Sequence, residues 1–273
     1  GEELAKFLAE SGAPVAIIGR ERVDAELLDR CPELKLIAKY GVGLDNLDLE
    51  AMRARGVELG WTAGVNRRGV AELVVAFLLG HFRNVAVSGL RLRQGTWKKD
   101  GGKELHELTL GIIGFGHCGT EVAKLLAPFG MRLLYCEVLD KSREGQGLGA
   151  ERRDFATLLG EVDAVTFHVP LTPDTRRMLG SSELPRLRPH ALVINTSRGE
   201  VVDFDATCEA VREGRLGGFA ADVFEVEPAD LTPWRAVERL YFTPHIGGNS
   251  QAAVWAMGRS AIGHVSEWSS RCR

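Results

Sequence analysis

The chain has 273 residues, 45% hydrophobic and 26% charged, with a formal net charge of −3. That is an ordinary globular composition, at a length where two domains are the starting expectation. The charge gives no electrostatic reason to expect nucleic acid or an anionic membrane as partner, and no apolar run approaches the roughly 20 residues that span a bilayer.

The opening GEELAKFLAE is acidic and amphipathic, unlike a secretory signal. VAIIG (15–19) and LKLIAKY (34–40) read as short buried strands, with helical stretches before and after the first. Gly69 to Asn84 reads as a helix whose apolar face includes Val70, Leu73, Val74, Phe77 and Leu78. It could pack across a hinge, onto a second subunit, or simply into a core. LTLGIIGFG (108–116) then precedes a helix expected over Thr120–Phe129. MRLLYCE, DAVTFHVP, ALVINTS, GFAADVF and RLYFTP follow as further strands separated by helical segments. Apolar strands without clean alternation, spaced by helices, argue for a parallel sheet covered on both faces, the doubly wound α/β class. The five cysteines, Cys31, Cys118, Cys136, Cys208 and Cys272, are scattered without a Cys-x-x-Cys pair. They point to reduced thiols in a cytoplasmic protein and away from a disulfide framework or a metal site.

A Gly-x-Gly-x-x-Gly pattern is weak alone, but GIIGFGHCG follows a strand and opens a helix. Gly114 permits the tight turn, Gly116 lets the backbone approach a pyrophosphate, and Gly119 allows close helix–strand packing. The amides of His117 and Cys118 at the helix N-terminus can face phosphates, where the helix dipole favours negative charge. Glu137 ends the next strand, eighteen residues after Gly119, where a carboxylate would accept from an adenosine ribose and repel a 2′-phosphate. NAD is therefore expected over NADP, although Lys141 and Arg143 close by could soften the choice.

Three polar residues follow expected strand ends, where open α/β sheets place ligands: Arg198, Glu227 and His245. Each has an ordinary explanation alone: a surface charge, a turn residue before proline, a structural histidine. Together, Arg198 can hold a carboxylate bidentately and polarise an adjacent carbonyl. His245 can give or take a hydroxyl proton, and Glu227 can orient the imidazole and stabilise its protonated form.

At these residues the sequence resembles the D-isomer-specific 2-hydroxyacid dehydrogenases. Matching blocks run over nearly the whole chain: ELKLIAKYGVGLDNLDL, VAELVVAFLLG, LTLGIIGFGHCGTEVAKLL, VTFHVPLTPDTRRML, LVINTSRGEVVD, GFAADVFEVEP and FTPHIGG. The resemblance implies NAD(H)-dependent interconversion of a D-2-hydroxy acid and its 2-keto acid. Arg198 would anchor the carboxylate, and His245 with Glu227 would form the acid/base pair. It also implies a nicotinamide contact for Asp222, a neighbouring position for Thr196, adenosine-side positions for Pro170 and Thr175, and a substrate-carboxylate seat in the backbone of Val42 and Gly43.

The resemblance further implies a Rossmann domain over 64–245, inserted into a smaller flavodoxin-like α/β substrate domain formed by 1–63 and 246–273. A mobile cleft would lie between them, and a homodimer would form through 69–84. By that comparison the smaller domain lacks its first strand and helix, so a compensating association or a loss of activity is expected. Two rivals stay open: an NAD(H)-binding corepressor of the same fold, and a relative oxidising formate or phosphite. Against phosphite stands Val42, where such relatives would carry a lysine. Substrate selectivity is expected to depend on Lys39, Tyr40, Trp61, Arg67 and Arg68. The three cations could bind a phosphorylated or dicarboxylic substrate, but the plainer expectation is a solvated face.

Overall fold

The computed structural model describes residues 2–272 and divides into two compact units, 1–66 with 248–273, and 67–247. In the smaller unit α1 (Glu2–Ser11), β1 (Val15–Ile18), α2 (Ala25–Arg30), β2 (Leu36–Lys39), α3 (Leu49–Ala54) and β3 (Glu58–Gly60) alternate. Their strands form a parallel sheet in the order β1-β2-β3. Asp24 and Asp48 cap α2 and α3, each accepting a backbone amide three residues on. One core gathers Ala5 and Leu8 of α1 with Ile18, Leu27, Leu28, Ile37 and Met52.

The larger unit begins with α4 (Arg67–Phe82) and α5 (Val85–Arg93). It continues through β4 (Thr109–Ile113), α6 (His117–Leu126), β5 (Arg132–Cys136), α7 (Ser142–Gly147), β6 (Ala150–Arg152) and α8 (Phe155–Glu161). β7 (Ala164–Phe167), β8 (Leu192–Asn195), α9 (Phe204–Arg212), β9 (Gly218–Ala221) and β10 (Leu240–Phe242) complete it. The helix α10 (Gln251–Arg271) then returns to the smaller unit and packs on β2 and β3.

The seven strands lie in the order β10-β9-β8-β7-β4-β5-β6, every pair parallel. Chain direction across the sheet reverses between β4 and β7, so a crevice opens at their carboxyl ends. Successive residues serve opposite cores, as the two-residue period of a strand requires. Leu110, Ile112, Leu133, Tyr135, Leu192 and Ile194 join α4 and α6 on one face. Ile113, Leu134, Val193, Phe167 and Phe219 join α8 and α9 on the other. This double burial is why the strands read as unbroken apolar runs.

The helix expected over Gly69–Asn84 is α4; its Val74, Phe77 and Leu78 are buried in the larger unit's core, and Val70 is buried as well. The helix expected over 120–129 begins three residues earlier, at His117, and tightens to a 3-10 turn over Ala127–Phe129. The glycine loop itself thus makes the first helical turn. At the sheet margin, Arg132 and Arg153 each pair with Glu151 and Glu161, at 2.6 to 3.3 Å. Such charges discourage further pairing at an edge strand. No single helix among the described residues is long and apolar enough to cross a membrane.

His81 gives the larger unit an acid-sensitive point. It is buried, edge-on to Phe82 and Tyr241, with Nδ1 3.2 Å from the Tyr241 hydroxyl. Burial, assisted by the nearby Arg239 charge, lowers its pKa to about 4. An unfolded imidazole titrates near ~6.5. The stability that neutral His81 contributes is therefore complete above that value and is lost as acidification proceeds toward the folded pKa. Between pH ~7 and ~4, urea unfolding should show wild type losing about 3 kcal/mol more than His81→Gln. Parallel pH profiles for the two proteins would contradict this.

Candidate functional site

The first group of site residues surrounds the turn after β4. Gly114 has φ +87°, and a Cβ there would meet the His168 carbonyl at 2.7 Å. It can turn so sharply beside β7 only because it has no side chain. A Cβ on Gly119 would strike the Gly114 carbonyl at 2.1 Å, so α6 can approach the strand only through a glycine. Gly116 differs: a Cβ there meets no protein atom within 4 Å. Packing does not explain that glycine, whereas an approaching ligand would.

His117 and Cys118 occupy the first turn of α6, where backbone amides have no intrahelical acceptor. Burial pushes the Cys118 thiol up to about 11, against the pull of Arg67. The sulfur therefore stays a protonated thiol near neutral pH. Glu137, just after β5, grips the same turn: Oε2 accepts from the Phe115 amide at 2.8 Å, and Oε1 from the Val138 and Leu139 amides at 2.8 and 3.2 Å. Oε1 thus already accepts twice, whereas Oε2 accepts once and keeps a second lone pair for another donor. Beyond β7, the Thr175 hydroxyl donates to the Pro170 carbonyl at 2.6 Å and accepts from the Thr172 amide at 2.8 Å.

The second group follows β8, β9 and β10. Asn195, the last residue of β8, shapes the loop after it. Its amide nitrogen donates to the Arg198 carbonyl at 2.8 Å, and its Oδ1 accepts from the Ser197 amide and hydroxyl at 3.1 and 2.8 Å. The Thr196 hydroxyl is buried and has no hydrogen-bond partner. The Arg198 side chain is half-buried, with Nη1 donating to the Ser197 carbonyl at 2.7 Å. A Cβ on the next residue, Gly199, would lie 2.1 Å from the Phe224 backbone. This close approach brings the loop carrying Arg198 against the loop leading to Glu227.

His245 Nδ1 lies 2.9 and 3.0 Å from the two Glu227 oxygens. A proton shared with that carboxylate sits on Nδ1, which makes Nε2 the acceptor of the neutral ring and a donor of the charged one. The residue stands at φ +54°, a left-handed backbone uncommon outside glycine.

Asp222 holds this turn in place. It is buried, and its two oxygens accept from the Thr243 hydroxyl at 2.6 Å and from the Ile246 and Gly247 amides at 2.7 and 2.8 Å. Its motif suggested only a cofactor contact. The positioning of His245 depends on residues more than twenty positions away meeting one carboxylate, a contact that local patterning does not carry.

Val42 and Gly43 lie in the smaller unit, in the loop after β2, where the Trp61 indole donates to the Val42 carbonyl at 3.1 Å. Among the cations considered for selectivity, Lys39 requires a correction. It is not on a solvated face but buried, its ammonium drawn back to the Gly19 carbonyl and to Asn46 Oδ1 at 2.7 Å. Arg67 and Arg68 are exposed and approach Glu121 of α6 at 3.6 and 3.4 Å. Among the described residues, no group of three or more His, Cys, Asp or Glu could hold a metal ion.

Comparison with known proteins identifies the family. The sequence pattern of the D-isomer specific 2-hydroxyacid dehydrogenase, NAD binding domain, matches residues 75–247. A glyoxylate reductase from Thermococcus litoralis is 40% identical over 242 residues, covering 85% of this chain and 73% of its own length. A hydroxypyruvate reductase from Thermotoga maritima is 34% identical over 262 residues, covering 94% of this chain and 84% of its own. A D-lactate dehydrogenase from Aquifex aeolicus, solved with NAD and lactic acid, superposes with a TM-score of 0.89 and 26% identity over 97% of this chain and 85% of that one.

Proposed function

We propose, of a chain that belongs to the D-isomer specific 2-hydroxyacid dehydrogenase family, that it interconverts a small D-2-hydroxy acid and its 2-keto acid with NAD(H). The observation that carries the reading is the His245–Glu227 pair at 2.9 Å, on strand-end loops of the same sheet as the Arg198 loop and the glycine turn.

The residues fit a dinucleotide. Gly116 keeps open the space that a side chain would fill, and Thr196 keeps a buried hydroxyl with no partner in the protein. The amides of His117, Cys118 and Gly119 would face the diphosphate. Glu137 would take the ribose hydroxyls, which favours NAD over NADP; Pro170 and Thr175 would border the adenosine, and Thr196 and Asp222 the nicotinamide. When bound, the cofactor supplies or removes hydride at the substrate's C2.

The protein's own task is to bind, orient and move one proton. Arg198 would pair with the substrate carboxylate and polarise the neighbouring carbonyl, a two-pronged contact that lysine cannot reproduce. Backbone amides at Val42 and Gly43 would also seat the carboxylate. In reduction, protonated His245 would donate from Nε2 to the carbonyl oxygen, and Glu227 would hold the ring and offset its charge. Oxidation returns the proton by the same path. The domain roles follow: cofactor on 64–245, and substrate selection on 1–63 with 246–273.

We also propose a homodimer through 69–84 and the segment after it. The face of α4 that enters the core is committed, but Val85, Leu90, Leu92 and Trp97 beyond it are exposed. That amount of exposed apolar surface in one segment suits a subunit contact. The five cysteines are free thiols, in keeping with a cytoplasmic location.

The test is NADH consumption with glyoxylate, hydroxypyruvate and pyruvate, run in parallel with NADPH. His245→Ala should lower turnover roughly 10²–10⁴-fold with NADH affinity nearly intact. Equal turnover by wild type and variant would reject the assignment, and NADH binding without turnover of any keto acid would favour a binding protein. Light scattering should report two chains per particle for wild type and a shift toward one for Trp97→Asp. A monomeric wild type would overturn the dimer.

A further inference from the structure

A lysine closing a strand is ordinarily a solvated charge, yet Lys39 at the end of β2 is only 5% exposed. Its ammonium reaches the Gly19 carbonyl just beyond β1 and lies 2.7 Å from Asn46 Oδ1. Asn46 donates in turn from Nδ2 to the Glu21 carbonyl at 2.6 Å and to that of Gly19 at 3.4 Å. The Gly19 amide donates to Glu21 Oε2 at 2.7 Å, and the Val23 amide to the Asn46 carbonyl at 2.9 Å. The loops after β1 and β2 are thus stapled through one buried cation and one side-chain amide.

Gly41, Val42 and Gly43 lie between the two ends of that staple. Gly41 stands at φ +123°, and the Val42 carbonyl is held by the Trp61 indole from the loop after β3. The turn is therefore gripped at both ends and at its middle. Backbone donors that bind a carboxylate are effective only when held close to the productive geometry. If the ammonium were withdrawn to serve a ligand, the Gly19 carbonyl and Asn46 Oδ1 would lose their buried donor.

We propose that Lys39, acting with Asn46, is a positioning residue for the Gly41–Gly43 turn and not a ligand for a second anionic group. The substrates are then unphosphorylated 2-keto monocarboxylates. This rests on the function proposed above and deepens it. The two other cations offered by the sequence, Arg67 and Arg68, approach Glu121, so neither stands in for Lys39 as a phosphate anchor.

The experiment is steady-state kinetics with NADH on wild type, Lys39→Met, Asn46→Ala and the double variant. The substrates are glyoxylate, hydroxypyruvate and phosphohydroxypyruvate, with NADH affinity and thermal midpoints measured alongside. Wild type should prefer hydroxypyruvate to its phosphorylated form by roughly a hundredfold, because an unpartnered phosphate is costly to desolvate. Each single variant should raise KM for glyoxylate and hydroxypyruvate by a common factor, roughly ten- to hundredfold, with NADH affinity unchanged. The double variant should be no worse than the poorer single, since both remove one staple.

If Lys39→Met does not fold, Asn46→Ala carries the same readout. A loss confined to phosphohydroxypyruvate would make Lys39 a phosphate ligand and overturn the inference. Lowered midpoints with KM unchanged would make the staple merely structural and overturn it equally. A wild-type protein that binds NADH but reduces none of the three acids would bring down the functional reading first, and this inference with it.

Discussion

The close approach of backbone to backbone at the carboxyl ends of β4 and β7 is the constraint from which the larger unit's site follows. The two strands carry chain that departs in opposite directions, and the crevice between them is narrow enough for the missing side chain of Gly114 to face the His168 carbonyl at 2.7 Å. Gly119 lets α6 descend onto that turn, so the first amides of the helix lie beside it with no intrahelical acceptor. Glu137 then ties the turn to β5 through the Phe115 amide. Three glycines in one motif thus answer three separate requirements, of which two are internal packing and one is open space.

A second constraint fixes the chemistry beside it. A histidine in a left-handed backbone conformation persists only where its surroundings specify it. Here buried Asp222 accepts from three groups of the turn, and Glu227 takes the ring nitrogen. The acid/base geometry is therefore held by residues that follow β9, and not only by the turn after β10 that carries His245. The same economy is visible in the smaller unit, where Lys39 and Asn46 shape a loop from behind while the loop's own residues are mostly small.

Much of this was legible in the amino-acid order, for identifiable reasons. Strands buried on both faces leave apolar runs such as LTLGIIG and ALVINTS, and β4 and β8 lie within them. β6 is three residues long with Glu151 and Arg152 exposed at the sheet margin, so no hydrophobic signal marks it. β3 is equally short and only its last residue is buried. Among functional side chains, Arg198, Glu227 and His245 stand in recognisable local motifs. The grip of Asp222 on residues 243–247 and the burial of Lys39 do not, because both depend on which loops the sheet register brings together. An isolated lysine carries the same one-letter signal whether its ammonium meets water or a carbonyl twenty residues away.

Gly116 offers the most direct test of the central claim, that the turn after β4 is shaped to receive a dinucleotide. No protein atom lies within 4 Å of the Cβ position there, so Gly116→Val should leave the folded protein as stable as wild type within about 0.5 kcal/mol. Titration calorimetry with NADH should then give saturable one-site binding to wild type and a loss of roughly a hundredfold or more in the variant, the diphosphate being denied its approach to the backbone. Folded wild-type protein that takes up no NADH, or a variant that binds it equally well, would contradict the account.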